Sequence, residues 1–198
     1  MLLTRILLIC VLGLIAITVS KHTSFSRRTT IVASTVLILV ITTISSIYPF
    51  ENAFYSFSTP EKAFSYAQSG KVLDVVEGQK SCMVVYQDAS GYDTWLAPKG
   101  DTGYKLPGFY ETKTHRLQMT FLGDTSVFVK QINGDFYFQT GFVYSANPVI
   151  TDASGKSIPV HTDVLSDESK VFVFAYDYTT VPIETYSIFI DNEQFSFQ

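Results

Sequence analysis

The sequence predicts two parts of different class: a transmembrane hairpin of two helices over residues 1–50, and a mainly antiparallel β (α+β) domain with one leading helix over residues 51–198. Three observations lead to this division. Two long apolar runs lie close together, at 6–19 and 31–47. All 18 acidic residues lie from Glu51 onward. Beyond that point, short segments alternate apolar with polar residues, which is typical of half-buried strands.

The two apolar runs have the length of membrane spans. A bilayer core requires roughly 20 helical residues, and the candidate spans, at about 2–20 and 30–48, have 19 each. A helix also satisfies its own backbone N–H and C=O groups, which lipid cannot do. We therefore expect these two helices to be embedded in the lipid bilayer, which is one predicted partner of the protein.

The connector between the spans predicts their orientation. It carries Lys21, Arg27 and Arg28, and basic connectors stay in the cytoplasm. We therefore expect a multi-pass protein of the cell membrane whose main domain is extracellular. The alternative for the first run is a cleaved signal peptide, because Arg5 precedes its apolar stretch. The second run would then remain as the anchor.

The composition of residues 51–198 excludes some function classes. Ten of the 14 basic residues and all 18 acidic residues lie there, a net charge of −8 with His neutral. Nucleic acid is not an expected partner, because phosphate binding requires a basic face. Cys82 is the one cysteine of this part, so a disulfide within it is impossible. We predict a buried, unreactive thiol in an exported domain of a bacterium that makes little use of disulfides.

The leading helix is predicted by its start signal. Thr59 is a suitable N-cap, Pro60 suits the first helical position, and Glu61 supplies an acid in the first turn. The helix is expected to end by Gly70.

About nine strands are predicted after the helix. Asn133-Gly134 is a strong signal for a two-residue hairpin turn, and Asp191-Asn192 is expected to turn the last hairpin. The segment 170–176 is apolar on both faces and is expected to be central in a sheet. The predicted strands are 72–76, 82–87, 94–97, 116–122, 125–132, 135–144, 170–176, 186–190 and 194–198.

No motif predicts catalytic residues, a metal site or a cofactor. Asp101-Thr102-Gly103 matches the aspartic-protease triplet, but it follows a turn composition rather than an apolar strand, so an ordinary loop is expected. His115 and His161 fall in no ligand motif. Asp163, Asp167 and Glu168 lack the spacing of a calcium loop, and a solvated acidic turn is expected.

The aromatic content gives a weak binding hypothesis. The chain has 16 Phe and 12 Tyr, and aromatic faces can stack on sugars. The candidate surface consists of Trp95, Tyr104, Phe109 and Tyr110. The alternative interpretation is that aromatic residues fill the core of a β fold.

One stretch resembles a family. Ser58-Thr59-Pro60-Glu61-Lys62-Ala63-Phe64, followed by Gly70-Lys71-Val72, Val75-Val76-Glu77-Gly78 and Met83-Val84-Val85-Tyr86, is similar to the start of uncharacterised membrane-anchored or secreted proteins of Gram-positive bacteria. The resemblance covers about thirty residues and implies an exported, non-catalytic module. It assigns no functional residue.

The resulting hypothesis is an extracytoplasmic binding or accessory module of a bacterial envelope complex, anchored in the membrane and bound to an envelope protein. Two alternatives remain. One is an extracytoplasmic enzyme acting on envelope material, whose acids and His would be brought together by folding. The other is an immunity-type membrane protein in which the helical hairpin is itself functional.

Overall fold

The computed structural model describes residues 10–15, 17–18, 27–108, 110–119, 125–145, 147–165, 170–181 and 186–196. The chain divides into two compact units. The first comprises residues 1–55 and 106–110, and the second comprises residues 56–105 and 111–198.

The first unit is helical. Residues 10–15 and 17–18 are helical, helix α1 is Arg27–Ile47, and a 3₁₀-helix follows at Phe50–Ala53. The Asn52 side chain fixes Leu106 at both backbone groups: its Nδ2 donates to the Leu106 carbonyl at 2.7 Å, and its Oδ1 accepts from the Leu106 N–H at 2.8 Å.

The predicted transmembrane hairpin is wrong. Within the described residues, no helix combines the length and the apolar character needed to cross a membrane. Of the first run, residues 10–15 and 17–18 are described, and both stretches are helical. Helix α1 begins with Arg27 and Arg28, so part of the predicted basic connector belongs to the helix, and it contains eight Ser and Thr residues. The two-span placement in the cell membrane with an extracellular main domain is corrected for the same reason.

The second unit is mostly antiparallel β. Its helix, α2, is Pro60–Ala67, and the Thr59 hydroxyl accepts from the Lys62 N–H as the expected N-cap. The described strands are β1 Lys71–Glu77, β2 Ser81–Asp88, β3 Gly91–Gly100, β4 Gly103–Tyr104, β5 Lys113–Met119, β6 Thr125–Ile132, β7 Asp135–Tyr144, β8 Ile150–Asp152, β9 Val160–Val164, β10 Val171–Thr179, β11 Ser187–Ile190 and β12 Glu193–Ser196.

The strands form three sheets. The first sheet has the order β1-β2-β3-β4, the central sheet β5-β6-β7-β10-β9, and the third sheet β12-β11-β8. Strand β1 contains a bulge between Val72 and Asp74. Two hairpins turn at the expected places, where Asn133, Gly134, Asp191 and Asn192 all have positive φ, as two-residue turns of this kind require.

The central sheet packs on both of its faces. Val129, Phe138 and Val173 face the third sheet and meet Ile150, Ile188 and Ile190 there. The opposite face contributes Ile132, Tyr137, Phe174 and Tyr176 to a second core with Met83, Val85 and Leu96 of the first sheet. Strand β10 supplies residues to both cores, which confirms the prediction of a central strand that is apolar on both faces.

Helix α2 covers the other face of the first sheet. The Phe64 ring lies 4.8 Å from that of Tyr86 and 5.9 Å from that of Trp95, centroid to centroid. Ala63 and Phe64 are buried, as the apolar side of the predicted helix requires. The second unit is therefore a helix and three sheets in successive layers.

Candidate functional site

The structure describes only part of the predicted aromatic surface. Trp95 is half-buried on β3, with the edge of its ring system against Phe64. The Tyr104 hydroxyl donates to Glu77 Oε1 at 2.7 Å, and desolvation together with that carboxylate raises the pKa of Tyr104. Tyr110 is exposed but belongs to the first unit, and Phe109 lies outside the described residues. The sugar-stacking hypothesis stays a prediction.

Of the other sequence candidates, only His161 and Asp163 lie on the same described strand, β9. Asp101 and Thr102 form the tight turn between β3 and β4, which is the loop that was expected. His115 is exposed on β5, and Asp167 and Glu168 lie outside the described residues. No group of three potential metal-ligating side chains occurs in the part of the chain that the structure describes. Cys82 is buried, and desolvation raises its pKa to about 12.

Asp135 is a buried acid whose carboxylate accepts hydrogen bonds between two layers of the fold. Asp135 Oδ2 accepts from the Lys80 N–H at 2.8 Å and from the Ser81 hydroxyl at 2.6 Å, and its Oδ1 accepts from Tyr178 at 3.3 Å. Ser81 also lies 2.9 Å from the Tyr137 hydroxyl. These bonds join the first sheet to the central sheet and engage both carboxylate oxygens.

Asp93 has a similar structural role. Its Oδ1 accepts from Lys130 Nζ and from Gln139 Nε2, both at 3.1 Å. Lys130 also donates to the Thr94 carbonyl at 2.6 Å. Burial pushes the pKa of Asp93 up, but the Lys130 ammonium and the hydrogen bonds outweigh it, so the pKa is lowered. The carboxylate and the ammonium are held as an ion pair between two sheets.

A different group of side chains reaches the surface beside strand β9. We call it the His161 patch: Tyr92, His161, Asp163 and Phe172, with Asp74 and Tyr176 behind them. Its first four members are half-buried or exposed, Asp74 is half-buried and Tyr176 is buried. His161 and Asp163 alternate on one face of β9, opposite Phe174 and Phe172 of β10. The patch therefore lies at one edge of the central sheet, beside the start of β3.

The rings of the patch are nearly parallel. The Tyr92 ring makes an angle of 4° with that of His161 at 5.9 Å between centroids. Its angle with Phe172 is 10° at 6.1 Å, and with Phe174 it is 18° at 5.4 Å. His161 is also stacked with Tyr176 at 5.6 Å. Offset, near-parallel arrangements of this kind are favourable for aromatic rings.

Hydrogen bonds connect the polar groups of the patch in a chain. Tyr176 donates its hydroxyl proton to Asp74 Oδ2 at 2.9 Å, while Asp74 Oδ1 accepts from the Val75 N–H at 2.8 Å. The Tyr176 oxygen lies 3.1 Å from His161 Nε2. Because a hydroxyl has one proton, the contact with His161 requires the proton on Nε2. The neutral imidazole then has its lone pair on Nδ1.

The second carboxylate of the patch is also bonded to a tyrosine. Burial and the hydrogen bond to Asp163 raise the pKa of Tyr92 to about 12. Burial and the bond to Asp74 likewise raise the pKa of Tyr176. Both phenols therefore stay protonated at neutral pH and act as donors to the two carboxylates.

Sequence reasoning missed this patch because its members come from four strands. Asp74 and Tyr176 are 102 residues apart in the chain. The local signal was the spacing of His161 and Asp163. Two residues apart, they share one face, but only if 160–164 is recognised as a strand. The bulge that precedes Asp74 is a second, structural signal, since bulges are enriched next to functional sites, where they redirect side chains.

No family model matches this chain, and no curated protein or solved structure is significantly similar to it. The functional argument therefore rests on the site itself.

Proposed function

We propose that the second unit is a binding module that holds a protein partner without transforming it, as an accessory subunit of a larger assembly. The observation that carries the proposal is the His161 patch, which presents ring faces and acceptor atoms at the edge of a sheet. No Ser, Thr or Cys side chain is hydrogen-bonded to His161 among the described residues. An imidazole without such a nucleophile suits recognition better than nucleophilic catalysis.

The placement of the other reactive groups supports the same conclusion. Cys82 is buried, and its raised pKa keeps it in the unreactive thiol form. Asp135 and Asp93 are bonded between layers. Their bonds stabilise the packing of the first sheet on the central sheet, so these carboxylates serve the fold.

The test uses the three histidines of the chain as reporters. Full-length protein labelled in its histidine rings is titrated with four classes of probe: basic peptides, acidic peptides, neutral sugars and inorganic phosphate. We expect one of the two peptide classes to shift the His161 signal saturably, to leave the exposed His115 signal unchanged, and to be recovered chemically intact. If neither peptide class shifts the His161 signal, the proposal is overturned.

An enzyme is the second candidate. The hydrogen bonds that connect Asp74 to Tyr176 and Tyr176 to His161 favour it. A carboxylate that orients an imidazole through an intervening group is a device for general-base catalysis. In this case a probe would be consumed during the titration, and His161→Gln would abolish the consumption. Slow conversion of a bound probe by wild type alone would replace the binding module with this alternative.

A further inference from the structure

The hydrogen bonds of the His161 patch restrict the chemistry of its ligand. Three side-chain protons are present, and all three are used inside the patch: Tyr92 donates to Asp163, Tyr176 donates to Asp74, and His161 Nε2 donates to Tyr176. The atoms of the patch that remain available for hydrogen bonding are therefore all acceptors. It consists of His161 Nδ1, which has no partner among the described residues, and the lone pairs of the Asp163 carboxylate that Tyr92 does not use.

A group that only donates hydrogen bonds complements such a surface. Guanidinium and ammonium are the protein groups with several donors and no acceptor. Both are positively charged, which suits Asp163 and the acidic composition of residues 51–198. Both are also attracted to the faces of aromatic rings such as Tyr92. A sugar hydroxyl brings an acceptor for every donor, so it leaves half of its capacity unmatched here.

The second unit already uses this chemistry internally. The Lys130 ammonium is held by the Asp93 carboxylate and the Thr94 carbonyl, two acceptors at 3.1 and 2.6 Å. The Arg116 guanidinium lies over the Phe128 ring, 5.9 Å from its centroid. The His161 patch combines the same elements, acceptor atoms and ring faces, at the surface.

The strand beside the patch indicates how the cation is delivered. Strand β9 ends the central sheet, and no described strand pairs with its outer edge. An extended segment that pairs with an edge strand gains backbone hydrogen bonds and places alternate side chains on one face. Its side chains would stand about 5 Å from those of β9 directly opposite. A basic side chain opposite His161 or Asp163 thus reaches the patch.

We propose that the His161 patch binds an arginine or lysine side chain of an extended segment of a partner protein, added as a strand along β9. The proposal rests on the binding function above and specifies its ligand. The guanidinium or ammonium would donate to Asp163 and to His161 Nδ1 and lie against Tyr92.

The experiment compares ligands of similar shape that differ in charge and in one hydrogen-bonding group. Histidine-labelled full-length protein is titrated with an acetylated, amidated valine–threonine–arginine–threonine–valine peptide, and with the same peptide carrying citrulline, the neutral isostere of arginine. Methylguanidinium, N-methylurea and methyl glucoside are the small probes. We expect the arginine peptide to shift the His161 signal saturably and the citrulline peptide to bind at least about tenfold more weakly. Binding should weaken as salt is raised.

Two variants locate the interaction. Asp163→Asn removes the exposed carboxylate and should weaken binding of the arginine peptide about tenfold. Asp101→Asn removes one charge from an exposed turn outside the patch and should leave the affinity unchanged. Equal weakening in both variants would show a general charge effect and would overturn the assigned site.

The remaining outcomes separate this inference from the binding function. Equal affinity of the arginine and citrulline peptides overturns the cationic ligand but leaves a module that binds a protein segment. Binding of the glucoside at His161 overturns both the cationic ligand and the protein partner. Equal affinity of methylguanidinium and the arginine peptide overturns the added strand. If no probe shifts the His161 signal, both this inference and the binding function fail.

Discussion

The two faces of the central sheet are packed by different chemistry. Toward the third sheet the contacts are aliphatic and aromatic, with Phe138, Val173 and Ile188 fully buried. Toward the first sheet the apolar contacts are interrupted by two hydrogen-bonded networks, one around the buried Asp135 and one around the half-exposed Asp93. The first arrangement tolerates several alignments of two sheets, whereas a satisfied polar network favours one. The difference suggests that the apolar face provides stability and the polar face fixes how the sheets are aligned.

The polar face also leads to the surface patch. Tyr176 is part of the core between the first and central sheets, and its hydroxyl connects Asp74 to His161. The packing of these two sheets therefore sets the geometry of the proposed site. The apolar face has its own exception in Asp177, which is bonded to Lys156 and Tyr186.

The largest expected effect is on the apolar face. Phe138→Ala removes a ring that is 0% exposed and should cost about 3–5 kcal/mol of the free energy of unfolding, through lost burial and the cavity that remains. Urea denaturation measures it. Val164→Ala, at a side chain that is 73% exposed, is the control and should change stability by less than about 0.5 kcal/mol. A loss below about 1 kcal/mol for Phe138→Ala would contradict the assigned face.

High pH should destabilise both faces through their tyrosines. Burial raises the pKa of Tyr137 and of Tyr186, so the folded state keeps their protons when the unfolded state, with tyrosine pKa values of about 10, loses them. Their contribution is complete below about pH 10 and declines as pH rises above it. We expect a loss of about 1 kcal/mol per buried tyrosine at about pH 11.

Urea denaturation at several alkaline pH values, together with tyrosinate absorbance, measures this loss. The absorbance of the buried tyrosines should rise only as the protein unfolds. Tyr137→Phe and Tyr186→Phe should each reduce the slope of stability against pH, which compares the two faces directly. A slope unchanged by both variants would show that these hydroxyls ionise within the folded protein.

The polar face can be tested by removing its central acceptor. Asp135→Ala leaves the Ser81 hydroxyl, the Lys80 N–H and the Tyr178 hydroxyl without their acceptor. We expect a loss of about 2–3 kcal/mol, the range for buried hydrogen bonds to a charged group. Asp101→Ala, in an exposed turn, is the control. If Asp135→Ala is as mild as this control, the network contributes nothing measurable to stability.

The strands with local signals were predicted well. Strands β6 and β7 have the predicted bounds because Asn133-Gly134 fixes their turn and alternation fixes their faces. Three strands were missed. Strands β4 and β8 have only two and three residues, and each is defined by its pairing with a strand elsewhere in the chain. In β9, Val160 packs against an apolar core, but the residues that follow it are mostly polar. The apolar composition before residue 50 led to the wrong membrane prediction, because length and composition alone do not determine what a helix spans.

The site could be predicted less well than the fold. His161 was named, but only as a histidine outside any motif. Its partners Tyr92, Tyr176 and Asp74 are supplied by the packing of two sheets, which no local pattern encodes. The four aromatic residues chosen from the sequence, Trp95, Tyr104, Phe109 and Tyr110, do not include any aromatic residue of the patch.

A small expected effect on stability is the most informative one for the site. Tyr176→Phe removes the hydroxyl between Asp74 and His161 but keeps the ring and its packing. We expect a loss of about 1 kcal/mol. The larger consequence concerns His161: without the tyrosine oxygen to accept from Nε2–H, the proton is free to occupy Nδ1. The nitrogen shifts of the labelled imidazole distinguish these two tautomers. In the neutral imidazole, wild type should show the Nε2–H tautomer and the variant a mixture, while His115 stays the same in both. Because a proton on Nδ1 removes one acceptor from the patch, the variant should also bind the arginine peptide more weakly than wild type. A wild-type spectrum dominated by Nδ1–H would contradict the hydrogen-bond chain from which the ligand chemistry was inferred.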